Sequence, residues 1–302
     1  MEKDIRKLVA GNQQKILLMV QRIEKSVSRN GSMYQKLFAR DSCEHEITVL
    51  NWNEPIVNEL PFVICAMIET SIFNECNSYR LLSYTVDTTT DKNIFLPKSK
   101  INLRDTWSVL MDMIRPIKPG YKKLIEVILM SNQKKFLTYP LSQSKSFARL
   151  NGALEATIHL MQMADASSKI MGLNHDLMMT GACLYYIGCI DTINDAFCSS
   201  SDEFLLGLGI SSYNKMREAL HHVQASESEI SEDERLDAED IRLLSHTLLS
   251  RYKGVPAAFP EAVALRHLDA IVTETDLMQA YMKDAAPGTI SRFPTGIVYQ
   301  RM

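Results

Sequence analysis

In Leu173-Asn-His-Asp-Leu-Met-Met-Thr-Gly-Ala-Cys-Leu-Tyr-Tyr-Ile-Gly188, Asn174 stands ahead of Asp176 and of a proline-free apolar run, the pattern of a capped helix over 176–184. The sequence around it repeats that pattern. After Pro140 almost the whole chain reads as helix: Asp237 with Asp240 forms an acidic capping pair, and Pro260 suits the first turn of a helix. Ile241, Leu244, Leu248 and Leu249 share one apolar face, and Ala262, Leu265, Leu268 and Val272 share another. Upstream, 103–114 is a further helix, broken by Pro116 and Pro119-Gly120, and a second follows over 122–131.

Farther toward the N-terminus the pattern changes. Glu46–Trp52, Pro61–Met67 and Tyr79–Val86 are short runs rich in β-branched and aromatic residues, separated by polar clusters, as in a small antiparallel β-domain. Residues 2–27 read as a helix, because Leu8, Val9, Ile16, Met19, Val20 and Ile23 recur near helical spacing and Arg29-Asn-Gly-Ser32 supplies a stop.

Composition limits the function classes. With 302 residues, 46% hydrophobic, 23% charged and a formal charge of -3, the chain reads as one large or two modest globular domains. The longest apolar runs, such as Ile16–Val20, fall far short of the roughly 20 residues that cross a bilayer. The opening Met-Glu-Lys-Asp lacks a secretory pattern, so a cytoplasmic protein without a membrane partner is expected. Six cysteines without a C-x-x-C pair read as reduced thiols rather than a zinc site or disulfide framework. Charge is divided along the chain: 1–30 carry 7 basic against 3 acidic residues, 31–100 carry 6 against 9, 101–150 carry 9 against 3, and 151–302 carry 11 against 21. The acidic C-terminal half opposes a simple nuclease reading, since phosphate binding draws on basic groups. Within it, 226–240 hold eight acids against Arg235 alone, the composition of a solvated loop running into a helix start.

A specific likeness rests on Asn151-Gly-Ala-Leu-Glu-Ala-Thr157, the 173–188 stretch, Leu205-Leu-Gly207, Leu244-Ser-His246, Leu265-Arg-His-Leu-Asp-Ala270 and the closing Pro287–Tyr299 segment. Together these resemble the YhaM-type 3'-5' exoribonucleases, in which an OB-fold, a helical connector and an HD phosphohydrolase domain follow in order. After the N-terminal helix (1–30) read from periodicity, the resemblance implies an OB-like antiparallel β-domain (31–100), a helical connector (101–140), an all-α HD-like domain (141–286) and a C-terminal tail (287–302), together an α+β, mostly helical fold.

Carried over residue by residue, the family's metal ligands are mostly missing. The first metal histidine falls on Ala156, the His-Asp pair on Tyr185 and Tyr186, the histidine of the Gly-His step on Leu208, and the second histidine of the Ser-His-His step on Thr247; a lysine that some members carry falls on Cys189. Only His246 and Asp269 match. Alanine and leucine offer no ligand atom, and a phenol with an ordinary pKa of about 10 is a poor ligand at neutral pH. Catalytic ions generally need about three protein ligands, so no catalytic metal and no cofactor are expected here. The literal His175-Asp176 pair lies at the first turn of its helix and reads as capping or surface. His221-His222 point about 100° apart on a helix and rarely serve one ion, while His159 and His267 read as boundary residues. No Walker-type loop, G-x-G-x-x-G or G-x-S-x-G occurs.

The expected function is that of a catalytically inactive HD-domain pseudo-enzyme, a scaffold or regulatory subunit that binds a protein partner or its own copy as a homo-oligomer. Single-stranded RNA or DNA is a further expected ligand. Trp52, Phe62, Phe73 and Tyr79 are the aromatic candidates on the β-domain, and Lys118, Lys122, Lys123, Lys134 and Lys135 beside Tyr121 and Phe136 are the basic ones on the connector. The alternative is an active metal-dependent 3'-5' exonuclease or phosphohydrolase with a rearranged site.

Overall fold

A computed structural model describes residues 2–74, 76–225, 231, 234–252, 254–285, 287–293 and 296–301. The chain forms two compact units, Met1–Pro97 with Asp195–Cys198, and Lys98–Asn194 with Ser199–Met302.

The first unit is a closed five-stranded barrel of OB-like kind. Its strands are β1 (Gln13–Val27), β2 (Met33–Arg40), β3 (Glu46–Asn51), β4 (Phe62–Phe73) and β5 (Cys76–Asp87), in spatial order β1-β2-β3-β5-β4. All pairs are antiparallel except β3 with β5, where Val49 lies opposite Tyr79. Closure removes the exposed strand edges that an open sheet would leave. Ile16, Leu18, Val20, Leu37, Val49, Ile64 and Leu81 belong to its buried core, which Ile5 and Leu8 of the N-terminal segment join.

The helix expected over residues 1–30 is not formed: a short 3-10 turn, Ile5–Lys7, precedes β1. The helix-like spacing traces in part to a β-bulge. Val20 pairs with Ala39 but Arg22 with Phe38, leaving Gln21 as an extra residue. Core positions therefore run Ile16, Leu18, Val20 and then Ile23, and the three-residue step at the bulge imitates helical spacing. Leu17 and Met19 are buried as well, so alternation was not visible in the sequence.

The second unit is mostly helical. It contains α1 (Leu103–Ile114), α2 (Pro119–Thr138), α3 (Gly152–Met171), α4 (His175–Leu184), α5 (Cys189–Thr192), α6 (Ser201–Leu205), α7 (Gly207–Ala225), α8 (Ala238–Leu249) and α9 (Pro260–Asp284). Asn174 caps α4 by accepting from Leu177 N, and Asp237 caps α8 by accepting from Asp240 N. Gly172, in the left-handed region at φ 66°, ends α3. α3 and α4 carry much of the core, with Ala153, Leu154, Ala156, Leu160, Met178, Ala182 and Leu184 buried. The closing segment is a hairpin of β6 (Ile290–Phe293) and β7 (Gly296–Tyr299), with residues 294–295 outside the described set. Part of the acidic stretch, 226–230 and 232–233, also lies outside the described residues. No helix among the described residues is long and apolar enough to cross a membrane.

Candidate functional site

At the end of α4 the chain presents Tyr185 and Tyr186, both buried, with rings edge to face at 5.8 Å. The Tyr186 hydroxyl donates to Asp269 Oδ1 of α9 at 2.7 Å. A residue that sequence reasoning missed completes the cluster. Arg251, just past α8, donates from Nη2 to the same Oδ1 at 3.1 Å and from Nη1 to the Tyr185 carbonyl at 3.2 Å. Its guanidinium lies 4.9 Å from the Tyr185 ring centroid and 5.1 Å from that of Tyr186. This is cation–π distance on both rings.

The electrostatics hold this arrangement in one protonation pattern. Burial raises the pKa of both phenols, and for Tyr186 the neighbouring Asp269 charge raises it further. Both phenols are therefore uncharged near neutral pH in this arrangement. Burial works against the Arg251 charge, but Asp269 and the tyrosines outweigh it and raise its pKa. Asp269 thus already faces a fixed cation. A lone arginine after a helix gives no motif in sequence, because it reads as an ordinary complement to the helix dipole.

The other transferred positions point elsewhere or are inert. Ala156 is fully buried on α3, and Leu208 packs at the start of α7. Thr247 is buried and spends its hydroxyl on Leu243 O within α8, at 2.9 Å. His246 Nε2 accepts the Ala258 amide at 3.0 Å, and its ring lies 5.3 Å from Phe259. That lone pair is committed to the backbone rather than to an ion. Among the described residues, no group of three His, Cys, Asp or Glu at metal-ligand distances includes His246 or Asp269; the group found is Asp4, Asp41 and His45, in the barrel unit. His175 bonds Asp165 at 2.9 Å on the surface, and Asp176 takes the Lys118 amide at 3.1 Å. His159, His221, His222 and His267 are exposed. Beside the cluster a cleft of about 350 Å³ opens between Leu208, Arg251, Tyr252, Lys145, Ser146 and Thr273.

The barrel offers a second candidate surface. Trp52 is 38% exposed and stacks on Tyr34, with ring centroids 4.4 Å apart and planes within 17°. Tyr34, Lys36, Phe38 and Arg40 alternate with buried residues along β2, so all four lie on its outer face. Arg22 covers the Phe38 ring at 3.8 Å. Two cations of this face are already paired, Arg22 with Glu24 and Arg40 with Glu46. Phe62 is not available for stacking, because it points into the barrel and is 6% exposed. Tyr79 packs against that same core, while Phe73 is exposed near the β4–β5 turn. On the connector, Tyr121 and Phe136 are core residues, which removes the aromatic partners expected beside its lysines. Lys122 lies 4.0 Å from Glu126, Lys118 lies 3.9 Å from Asp176, and Lys135 lies 5.5 Å from the Tyr139 ring. Lys123 is half-buried and Lys134 exposed.

Fold and site together define a class: an OB-like barrel followed by a mostly helical unit that carries a buried Tyr-Tyr-Arg-Asp cluster. Known proteins of similar sequence share nearly the whole length. The chain is 19% identical over 308 residues to the 3'-5' exoribonuclease YhaM of Bacillus subtilis, covering 95% of this chain and 93% of that protein. It is 20% identical over 317 residues to the 3'-5' exoribonuclease YhaM of Listeria welshimeri, covering 98% and 96%. No protein-family model matches, and no solved structure does.

Proposed function

We propose that the chain is an HD-type relative of the exoribonucleases that has given up metal catalysis and acts as a scaffold or regulatory subunit in the cytoplasm, through contact with another protein or with its own copy. The observation that carries this reading is the Arg251 guanidinium, 3.1 Å from Asp269 Oδ1. An HD centre needs converging imidazoles and carboxylates to hold an ion that activates water. Here the position of Asp269 is served by a side-chain cation and a phenol donor, and the remnant histidine bonds to the backbone. An ion at this carboxylate would have to displace a guanidinium whose departure leaves buried surface unpaired.

A direct test incubates the intact chain with single-stranded RNA and manganese. The expected result is no 3'-5' shortening and no bound ion that disappears in Asp269→Ala. Manganese-dependent turnover abolished by Asp269→Ala would overturn the reading in favour of an active exonuclease with a rearranged site.

A second reading, binding of single-stranded RNA or DNA, is favoured by the Tyr34–Trp52 stack beside Lys36 on the outer barrel face. Aromatic faces interleaved with cations suit unpaired bases and their phosphates. This reading is compatible with the first, since it needs no catalysis.

A further inference from the structure

The N-terminal segment and the β2–β3 turn converge at one end of the barrel unit. Asp41, which follows β2, is fully buried. Its Oδ1 accepts the amides of Cys43 at 2.8 Å and His45 at 2.9 Å, and its Oδ2 accepts that of Ile5 at 2.8 Å. Asp4, 7% exposed, caps the Ile5–Lys7 turn by accepting from Arg6 N at 3.0 Å. Both carboxylates face the same imidazole nitrogen: His45 Nδ1 lies 3.2 Å from Asp41 Oδ2 and 3.5 Å from Asp4 Oδ1.

Two accounts bear on these spacings. As hydrogen bonds, the 3.2 Å contact to Asp41 sits at the long end of the ordinary N–H···O range of about 2.7–3.2 Å, and the 3.5 Å contact to Asp4 lies beyond it. As edges of a coordination tetrahedron they fit, because metal–ligand bonds of about 2.0–2.1 Å to imidazole and carboxylate place neighbouring ligand atoms about 3.4 Å apart. The geometry points to a divalent-cation site, zinc by preference, formed by Asp4 Oδ1, Asp41 Oδ2 and His45 Nδ1. One nitrogen and two oxygens suit zinc, whereas magnesium and calcium take six or more oxygen ligands. The backbone amides on Asp41 are the outer-shell support that ligating carboxylates require. The His45 side chain is 30% exposed, which leaves solvent a route to the fourth position.

Arg6 is the competitor. Its Nε and Nη2 reach the two Asp4 oxygens at 3.1 and 2.9 Å, while its side chain is 67% exposed. In the metal-free protein this guanidinium neutralises Asp4, and it can swing outward when an ion arrives. Zinc would then tie the segment carrying Ile5 and Leu8, which join the barrel core, to the β2–β3 turn.

The test is a zinc titration of the intact chain, followed by calorimetry and by melting temperature, with magnesium and calcium as controls. One equivalent of zinc and a rise in Tm are expected. His45→Gln should weaken binding at least tenfold, and Arg6→Ala should tighten it several-fold by removing the competing cation. Cys43→Ser, at an exposed thiol of the same turn, should leave it unchanged. The proposal is overturned if neither the native chain nor Arg6→Ala binds zinc. It is overturned equally if binding survives His45→Gln in a variant of native circular dichroism, or is lost in Cys43→Ser. None of these results bears on the helical unit, where the ion test turns on Asp269.

Discussion

Two adjacent tyrosines at the end of α4 have opposite hydrogen-bonding fates. Tyr186 gives its hydroxyl to Asp269 at 2.7 Å, whereas the buried Tyr185 hydroxyl has no partner among the described residues. A hydrogen bond to a charged group contributes about 1.5–3 kcal/mol, and an unsatisfied buried hydroxyl costs about 1–3 kcal/mol. Tyr186→Phe should therefore lower stability by about 1–2 kcal/mol, while Tyr185→Phe should leave it unchanged or raise it by about 1 kcal/mol, as read from urea-unfolding midpoints. Removing the acid is the harsher change. Asp269→Ala strands Arg251, whose side chain is 19% exposed, and should cost about 3 kcal/mol or more. Combining it with Arg251→Met should recover a good part of that loss. A half-buried ion pair, Arg149 with Glu155, sets a pH response. Burial pushes the Glu155 carboxyl up, but hydrogen bonds from Arg149 at 2.8 Å and Ser99 at 2.6 Å outweigh it and leave the pKa below the ordinary 4.5. With the folded value depressed, its stabilisation is fully present above about 4.5 and is lost as pH falls through the lower folded value. Melting curves taken as pH falls below the ordinary 4.5 should show this loss, and Glu155→Gln should flatten it.

At the scale of elements, the contact of α5 with α7 depends on a missing side chain. A Cβ on Gly188 would lie 2.5 Å from Ser212 N and 2.6 Å from Leu208 O, both backbone atoms that cannot move alone. Gly188 N also donates to Ser212 Oγ at 2.9 Å. Gly188→Ala should force the two helices apart at a cost of about 1–3 kcal/mol, seen as a lowered Tm, with Gly254→Ala as the neutral control because nothing lies within 4 Å of its added Cβ. Elements of this helical unit were legible in sequence wherever caps and periodicity agreed: Asn174, Asp237 and Pro260 each begin the helix expected of them. β1 was not legible, because a bulge at Gln21 turned period two into a step of three and Leu17 and Met19 hid the alternation. The same divide runs through the candidate site. Tyr185, Tyr186 and Asp269 were singled out in sequence only through the family resemblance. Arg251 was not, since its partner Asp269 lies 18 residues away and only the packing of α9 brings them together. Tyr34 was likewise invisible as a stacking residue until the β2–β3 pairing, with Gln35 opposite Asn51, set it beside Trp52.

For the whole molecule, the charge division and the barrel surface make competing demands on a nucleic-acid ligand. Residues 151–302 carry 21 acids against 11 bases, a balance that disfavours phosphate binding there relative to the front half of the chain. There the connector lysines have acidic neighbours, as in Lys122 with Glu126, and their expected aromatic companions are core residues. The barrel face keeps Trp52, Tyr34 and Lys36 accessible. If it is the contact, a labelled single-stranded RNA should bind with affinity that falls steeply with salt. Trp52→Ala should then cost about 1–3 kcal/mol, the worth of one base stacked on an aromatic ring. Lys36→Gln should reduce the salt slope by about 0.7, one phosphate contact on a single strand. Lys122→Glu with Lys123→Glu should change affinity less than Trp52→Ala does; the reverse order in fluorescence anisotropy would move the contact to the connector. Absence of binding together with concentration-dependent self-assembly in sedimentation would instead leave the protein-interaction role standing alone.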